Sequence, residues 1–268
     1  GYLTDPVSVD ISNSPDPRDK IGVLSRLRQT EVLSTEEAIP LLRTLVEEEP
    51  NLIDAKLALS YRLSSTGKTE DALELCKQVL QSQPLHSTAL NNAILLSTQL
   101  GRDQMAIEFA QEMLAMNGED IRAYRYLAAI YMKQGHHNEV IEIGTKGLSK
   151  APEDPNLNYL VGLSHTYVKQ YAQAPFFLEQ AIKYGSRATD INLWLGIGYQ
   201  QQGLVDKAIE FYDKAAKDLP MDFRPYGLAG VMLAGEGRCD EAKTYLLNVF
   251  GRGGQTPDII GAMKKCGL

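Results

Sequence analysis

Residues 191–220, INLWLGIGYQQQGLVDKAIEFYDKAAKDLP, contain the pattern that decides the fold. Small residues at Gly196 and Ala208 allow two helices to approach each other closely. Gly203, between them, is suited to end the first helix and turn the chain, and Pro220 is a stop signal for the second. The stretch therefore predicts a pair of helices joined by a tight glycine turn.

The same spacing returns every 34 residues along the chain. A fixed period of this length is typical of repeat architectures. The turn position is occupied by Gly67, Gly101, Gly135, Lys169, Gly203 and Gly237, and the small position five residues later by Ala38, Ala72, Ala106, Val140, Ala174, Ala208 and Ala242. We therefore predict seven repeats, at 19–52, 53–86, 87–120, 121–154, 155–188, 189–222 and 223–256.

This pattern resembles the tetratricopeptide repeat family, whose 34-residue units carry Leu-Gly, Tyr, Gly, Ala, aromatic, Ala and Pro at fixed positions. In the sixth repeat the matching residues include Leu195, Gly196, Tyr199, Tyr212 and Pro220. The resemblance implies an all-α fold, a right-handed α-solenoid of seven helix-turn-helix units. It also implies a protein or peptide partner, although the family binds very different partners on one scaffold.

The two ends of the chain fall outside the repeats. Residues 1–18 hold three prolines and no helical periodicity, and we interpret them as an extended or disordered arm. Thr256 before Pro257 is a helix start signal, so residues 257–268 predict a capping helix and tail over the last repeat. An antiparallel cap would bring Cys239 and Cys266 side by side. A disulfide between them is therefore predicted, with two free thiols as the alternative.

Composition and motifs exclude several classes of function. A net charge of −7 and a pI of about 5.2 argue against nucleic-acid binding and against a polybasic membrane patch. No stretch is long and apolar enough for a transmembrane helix. We find no zinc-ligand spacing, nucleophile elbow or glycine loop after a strand, so we expect no catalytic residues, metal or cofactor. His136 and His137 are interpreted as a surface turn pair, with metal binding as the alternative.

The first residue bears on where the protein acts. The chain begins at Gly1 without a methionine, which is typical of a processed or truncated product. Together with the predicted disulfide, this start favours a periplasmic or membrane-anchored protein, because disulfides persist in oxidising compartments. The chain is then similar to bacterial periplasmic tetratricopeptide lipoproteins that help to assemble secretins and pili. A cytoplasmic location is the alternative.

In tetratricopeptide arrays, one side of the first helices lines the groove that binds partners. A rotation of 100° per residue places positions 2, 5, 6, 9 and 13 of each repeat on that side. We predict a partner-binding groove lined by Leu57, Tyr61, Asn91, Asn92, Leu95, Arg122, Arg125, Tyr126, Tyr159, Leu160, Leu163, Tyr167, Leu193, Trp194 and Ile197.

Apolar side chains dominate the later half of this predicted groove. Exposed apolar patches of that kind mark interaction sites, and an amphipathic helix or extended peptide is the natural ligand. The alternative is that these side chains are buried against the neighbouring first helices. For function, we weigh a peptide-binding scaffold that assists assembly of a larger complex against a self-associating structural protein whose groove is filled by another copy.

Overall fold

The computed structural model describes residues 17–250 and 252–268, with side chains from residue 22 onward. The chain divides into two compact units, Gly1–Ile130 and Tyr131–Leu268, which we call the N-terminal unit and the C-terminal unit. The division falls within α7. The helices up to that point are α1 Pro17–Val32, α2 Thr35–Glu48, α3 Ile53–Ser65, α4 Thr69–Ser82, α5 Ser87–Gln99, α6 Asp103–Met116 and α7 Ile121–Lys133.

The C-terminal unit continues with a second series of helices. They are α8 His137–Lys150, α9 Pro155–Tyr167, α10 Ala174–Lys183, α11 Ile191–Gln201, α12 Val205–Asp218, α13 Arg224–Gly235, α14 Cys239–Val249 and α15 Pro257–Lys265. The described residues contain no strand. The predicted all-α class, built of paired helices, is confirmed.

The helices follow the predicted repeat register. Four first helices begin on the first residue of a predicted repeat, at Ile53, Ser87, Ile121 and Pro155. The predicted N-terminal arm lies mostly outside the described residues, since the description begins at residue 17. Its last two residues, 17 and 18, belong to α1 and are helical rather than extended.

The turn between the two helices of a repeat uses left-handed backbone. Gly67, Gly101, Gly135, Gly203 and Gly237 have φ angles between 71° and 78°. Lys169 holds the same position in the fifth repeat with φ 61°, and it is the one residue other than glycine with positive φ in the described ranges. Because a side chain at positive φ clashes with its own backbone, the fifth repeat pays about 1–2 kcal/mol at this turn.

The core of each repeat lies between its two helices. The small position of the second helix, occupied in order by Ala38, Ala72, Ala106, Val140, Ala174, Ala208 and Ala242, is completely buried in all seven repeats. In the sixth repeat, a Cβ atom added to Gly196 would lie 2.5 Å from the ring of Tyr212. The third repeat has Ile94 and Ala110 at these two positions, both fully buried, so the larger side chain belongs there to the first helix.

The C-terminal unit ends in the predicted cap. The Thr256 hydroxyl accepts a hydrogen bond from the Ile259 amide at 3.4 Å and starts α15. Ile259 and Met263 are buried, and a Cβ atom on Gly227 of α13 would lie 2.7 Å from the Ile259 side chain. The structure joins Cys239, at the start of α14, to Cys266 by a disulfide, with their Cα atoms 5.1 Å apart. The cap is thus held by apolar packing and by one covalent bond.

Candidate functional site

In the N-terminal unit, several predicted groove residues are buried. Leu57, Asn91 and Asn92 are only 1%, 3% and 1% exposed, so they do not line an open surface. Tyr61 and Leu95 are half-buried.

The two buried asparagines belong to a hydrogen-bonded network that joins adjacent repeats. The Tyr126 hydroxyl donates to Asn91 Oδ1 at 2.7 Å, and Asn91 Nδ2 donates to Asn92 Oδ1 at 3.4 Å. Burial raises the pKa of Tyr126 above its usual value, so the ring remains a neutral donor. The hydrogen bond between Tyr126 and Asn91 joins neighbouring first helices, and Asn92 Nδ2 is buried with no hydrogen-bond partner in the described residues.

Two predicted groove arginines remain accessible in the N-terminal unit. Arg122 donates two hydrogen bonds to the Asp120 carboxylate, from Nε at 3.0 Å and from Nη2 at 2.6 Å. This pairing lowers the pKa of Asp120. The Arg122 side chain is still 43% exposed, and Arg125 is half-buried beside it. The guanidinium of Arg122 is therefore fixed in orientation by the carboxylate that balances its charge.

The C-terminal unit also buries part of its predicted groove. Leu163 and Leu193 are 7% and 1% exposed, so the predicted apolar patch does not include them. Both lie on the side of their helices that packs into the unit, and Leu193 belongs to its apolar core. Leu160 and Ile197 are half-buried. The exposed apolar surface is consequently smaller and more aromatic than the sequence predicts.

Four residues of this unit form what we call the aromatic site: Tyr159, Tyr167, Asp190 and Trp194. The Tyr159 hydroxyl donates to Asp190 Oδ1 at 2.8 Å, and Trp194 Nε1 donates to Asp190 Oδ2 at 2.8 Å. Tyr167 packs on Trp194 with ring centroids 5.2 Å apart and is 50% exposed. One carboxylate therefore fixes two aromatic rings, and a third ring extends from them into solvent.

The electrostatics of the aromatic site keep its hydroxyl protonated. Burial and the hydrogen bond to Asp190 raise the pKa of Tyr159 far above its usual value. The hydrogen bond to Asp222, with Nη2 to Oδ2 at 2.6 Å, is the main cause that raises the pKa of Arg224, and the charge of the nearby Asp190 adds to it. The site thus combines apolar rings with a carboxylate and a nearby cation.

His137 extends the aromatic site, and sequence reasoning assigned it to a turn. Its ring stacks on Tyr167 with centroids 4.4 Å apart and planes inclined by 6°. Its Nδ1 atom is buried, with no hydrogen-bond partner in the described part of the chain, and burial lowers the pKa of the ring. The imidazole is therefore neutral at physiological pH and acts as a flat apolar surface. No sequence signal marked this contact, because it joins the first residue of α8 to the last of α9.

The hydrogen bond between Trp194 and Asp190 has a signal in the sequence. Asp190 and Trp194 are four residues apart, which places them one above the other on a helix. A tryptophan paired with a carboxylate at that spacing can donate its only hydrogen bond within its own helix.

The described residues contain neither a metal-ligand cluster nor a membrane-spanning helix. No group of three or more His, Cys, Asp or Glu is arranged to hold a metal ion. None of the described helices has the length and apolarity required to span a bilayer.

A family model and a curated relative both point to tetratricopeptide repeats. The tetratricopeptide repeat model matches residues 57–121 and 170–222. These matches support the tetratricopeptide repeat family. The TPR repeat-containing protein YpiA of Bacillus subtilis (strain 168) is 23% identical over 204 residues, which is 76% of this chain and 48% of YpiA. The chain therefore spans about half the length of this tetratricopeptide relative.

Solved structures of other proteins agree with the fold. The crystal structure of MamA superposes with a TM-score of 0.58 at 25% identity, covering 62% of this chain and 90% of MamA. YrrB, a TPR protein with an unusual peptide-binding site, superposes with a TM-score of 0.65 at 18% identity, covering 72% of this chain and 99% of YrrB. At that identity the likeness to YrrB shows the fold alone.

Proposed function

We propose that this chain is a non-enzymatic scaffold that binds a peptide or an amphipathic helix of a partner protein at the aromatic site of its C-terminal unit. The observation that carries the proposal is Tyr167, half exposed between His137 and Trp194, with Trp194 held by Asp190. Tetratricopeptide proteins generally mediate protein–protein interaction and complex assembly, which supports this class of function.

The physical case rests on preorganisation. Tyr and Trp carry a large share of binding energy at protein interfaces. A side chain that is already fixed loses little conformational entropy when a partner covers it, so more of the buried area appears as affinity. Hydrogen bonds to Asp190 fix Tyr159 and Trp194 before any ligand arrives.

The partner's chemistry follows from the same contacts. Apolar or aromatic side chains of a peptide would pack on Tyr167 and Trp194, which are flat and half-covered. Asp190 and Arg224 would orient polar groups at the edge of the site, where charges contribute more to orientation than to affinity. YrrB shows that this fold carries a peptide site in a similar protein.

A peptide-display selection tests the proposal. Peptides selected on the wild-type chain should shift Trp194 fluorescence, and Tyr167→Ala should weaken their binding about tenfold or more. Tyr167 is half exposed, so this variant should keep its stability. Met221→Ala, at a side chain 79% exposed outside the site, is the matched control. Peptides that bind Tyr167→Ala as tightly as wild type would remove the aromatic site from the proposal.

The role in the cell is proposed at a coarser level. We propose that the scaffold assists assembly of a larger complex, such as a secretion or pilus machine, in the periplasm or at a membrane. The Cys239–Cys266 disulfide supports an oxidising compartment. Alkylation of thiols in intact cells, followed by mass spectrometry, tests the location. Two alkylated thiols at Cys239 and Cys266 would favour the cytoplasmic alternative.

The second candidate function is self-association with the groove filled by another copy. Partly exposed Tyr167 and Trp194 support it, because an apolar surface of one copy can cover that of another. Light scattering at two protein concentrations separates the candidates. A dimer that the selected peptide dissociates favours self-filling, and a monomer that binds the peptide favours the scaffold.

A further inference from the structure

A second surface lies on the second helices of repeats five and six, away from the aromatic site. Glu179 and Ile182 of α10, Asn192 of α11, and Phe211 and Lys214 of α12 line an open cleft of about 370 Å³, which we call the second-helix cleft. Ligand pockets usually hold about 300–1,000 Å³, so this cleft is at the small end. It has room for a protein side chain.

The cleft has apolar walls and a rim of opposite charges. Ile182 is 42% exposed on one wall. On the other, the Phe211 ring stacks on Tyr199 with centroids 5.4 Å apart, and Lys214 Nζ lies 4.4 Å from the Phe211 centroid. Glu179 accepts the hydrogen bond of the Tyr199 hydroxyl, which fixes its carboxylate at the rim. The walls are therefore rigid before anything enters.

The same surface also carries an exposed aromatic side chain. Phe176 is 60% exposed and lies on α10 one turn before Glu179. Its ring meets Phe177 edge-on, with centroids 5.1 Å apart. An exposed phenylalanine that already has a preferred orientation is a ready anchor for an interface. One helix thus presents both an anchor and a wall of the cleft.

We propose that this face is a self-association surface, on which a second copy of this chain inserts its Phe176 between Ile182 and Phe211 and receives the reciprocal contact. A two-fold interface requires one patch that is complementary to itself. The cleft and Phe176 meet that requirement, because each copy offers both parts. The rim charges can meet it as well: Glu179 of each copy can face Lys214 of the other, and Lys214 would then be shared with Glu210, its ion-pair partner at 2.7 Å in its own chain.

Sedimentation velocity over a wide concentration range tests the surface. The wild-type chain should form a dimer, and Phe176→Glu should raise its dissociation constant about thirtyfold or more, because a carboxylate would replace the ring that packs between the Ile182 and Phe211 walls. Met221→Glu is the control, since it introduces the same charge at an exposed apolar side chain outside the cleft. A wild-type chain that stays monomeric, or a dimer that Phe176→Glu leaves unchanged, overturns the proposal.

Charge reversal gives a second, independent test. Glu179→Lys and Lys214→Glu should each weaken the dimer, and the double variant should recover at least part of the loss, because the reversed pairs attract again across the two-fold axis. Circular dichroism confirms that each variant is folded. Weakening by Trp194→Ala with no effect of Phe176→Glu would assign the dimer to the aromatic site and overturn this proposal. Variants that lose the dimer should still bind a peptide at the aromatic site. An experiment can therefore disprove dimerisation at the second-helix cleft without disproving peptide binding at the aromatic site.

Discussion

Repeats three and six show how one helical hairpin supports two different surfaces. At their fifth and sixth positions, repeat three has Asn91 and Asn92, which are buried in a polar network. Repeat six has Leu193, which is buried, and Trp194, which is half-buried and hydrogen-bonded to Asp190, the residue just before α11. The same two positions are therefore both buried in repeat three, whereas in repeat six one is buried in the apolar core and the other is partly exposed.

The two repeats also divide their core volume in opposite ways. Repeat three combines Ile94 on its first helix with Ala110 on its second, and repeat six combines Gly196 with Tyr212. A well-packed interior fixes the total volume between two helices and leaves its division open. The hairpin therefore tolerates exchange of large and small side chains only when both positions change together.

Breaking the packing of repeat six should have the largest effect. Gly196→Ala places a Cβ atom 2.5 Å from the Tyr212 ring and should destabilise the C-terminal unit by about 1–3 kcal/mol. Tyr212→Ala alone should cost about 3–5 kcal/mol, as expected for a large aromatic removed from a core. The double variant should cost less than the sum, since alanine at 212 removes the clash. Urea denaturation measures all three, and strict additivity would show that the two positions do not share one volume.

Replacing Asn91 or Asp190 by alanine should affect the stability of the fold and the affinity for a peptide differently. Asn91→Ala leaves the Tyr126 hydroxyl without its acceptor and should cost about 1–3 kcal/mol, with no change in peptide binding. Asp190→Ala should cost less stability, because its surroundings are more exposed, and should shift Trp194 fluorescence and weaken a selected peptide. Equal effects of the two variants on peptide affinity would contradict the distinction between the repeats. Fluorescence titration of both variants supplies the comparison.

The smallest expected effect on stability comes from the turn between the two helices of a repeat. This turn has the same backbone conformation in the repeats compared here. Repeats three and six both use glycine at positive φ, at Gly101 and Gly203, and repeat five uses Lys169. Lys169→Gly should raise the free energy of unfolding by about 1 kcal/mol, because the strain at φ 61° disappears. Gln170→Gly is a suitable control beside it, and it should destabilise or do nothing. Thermal unfolding measures both, and no gain at 169 would show that its strain is already relieved.

The C-terminal end shows how far sequence arguments extend. Thr256, Pro257 and the spacing of Cys239 and Cys266 are local signals, and they place a capping helix beside α14. The structure has α15 there, with the two cysteines bonded. Such signals work because capping and short antiparallel pairing involve residues close in the chain.

The candidate site could be predicted only in part. Helical periodicity brought Tyr159, Tyr167 and Trp194 to one side of their helices, as the structure has them. It also placed Leu163 and Leu193 on that side, although both are buried. Periodicity assigns a residue to a helix face, but the width of the face that a neighbouring helix covers depends on packing between repeats. His137 was missed for the same reason, since its stacking partner lies on another helix.

The sequence by itself determined the repeat length, the turns and the small residues between paired helices, because each of these is imposed by local backbone geometry or by contact within one hairpin. Only the tertiary structure decided which first-helix side chains meet solvent. Asn91 bonds to a tyrosine of the next repeat and is buried, Leu193 is buried in the apolar core, and Trp194 bonds to Asp190 and remains partly accessible. A residue's exposure is settled by contacts between repeats, and these are not encoded in the period.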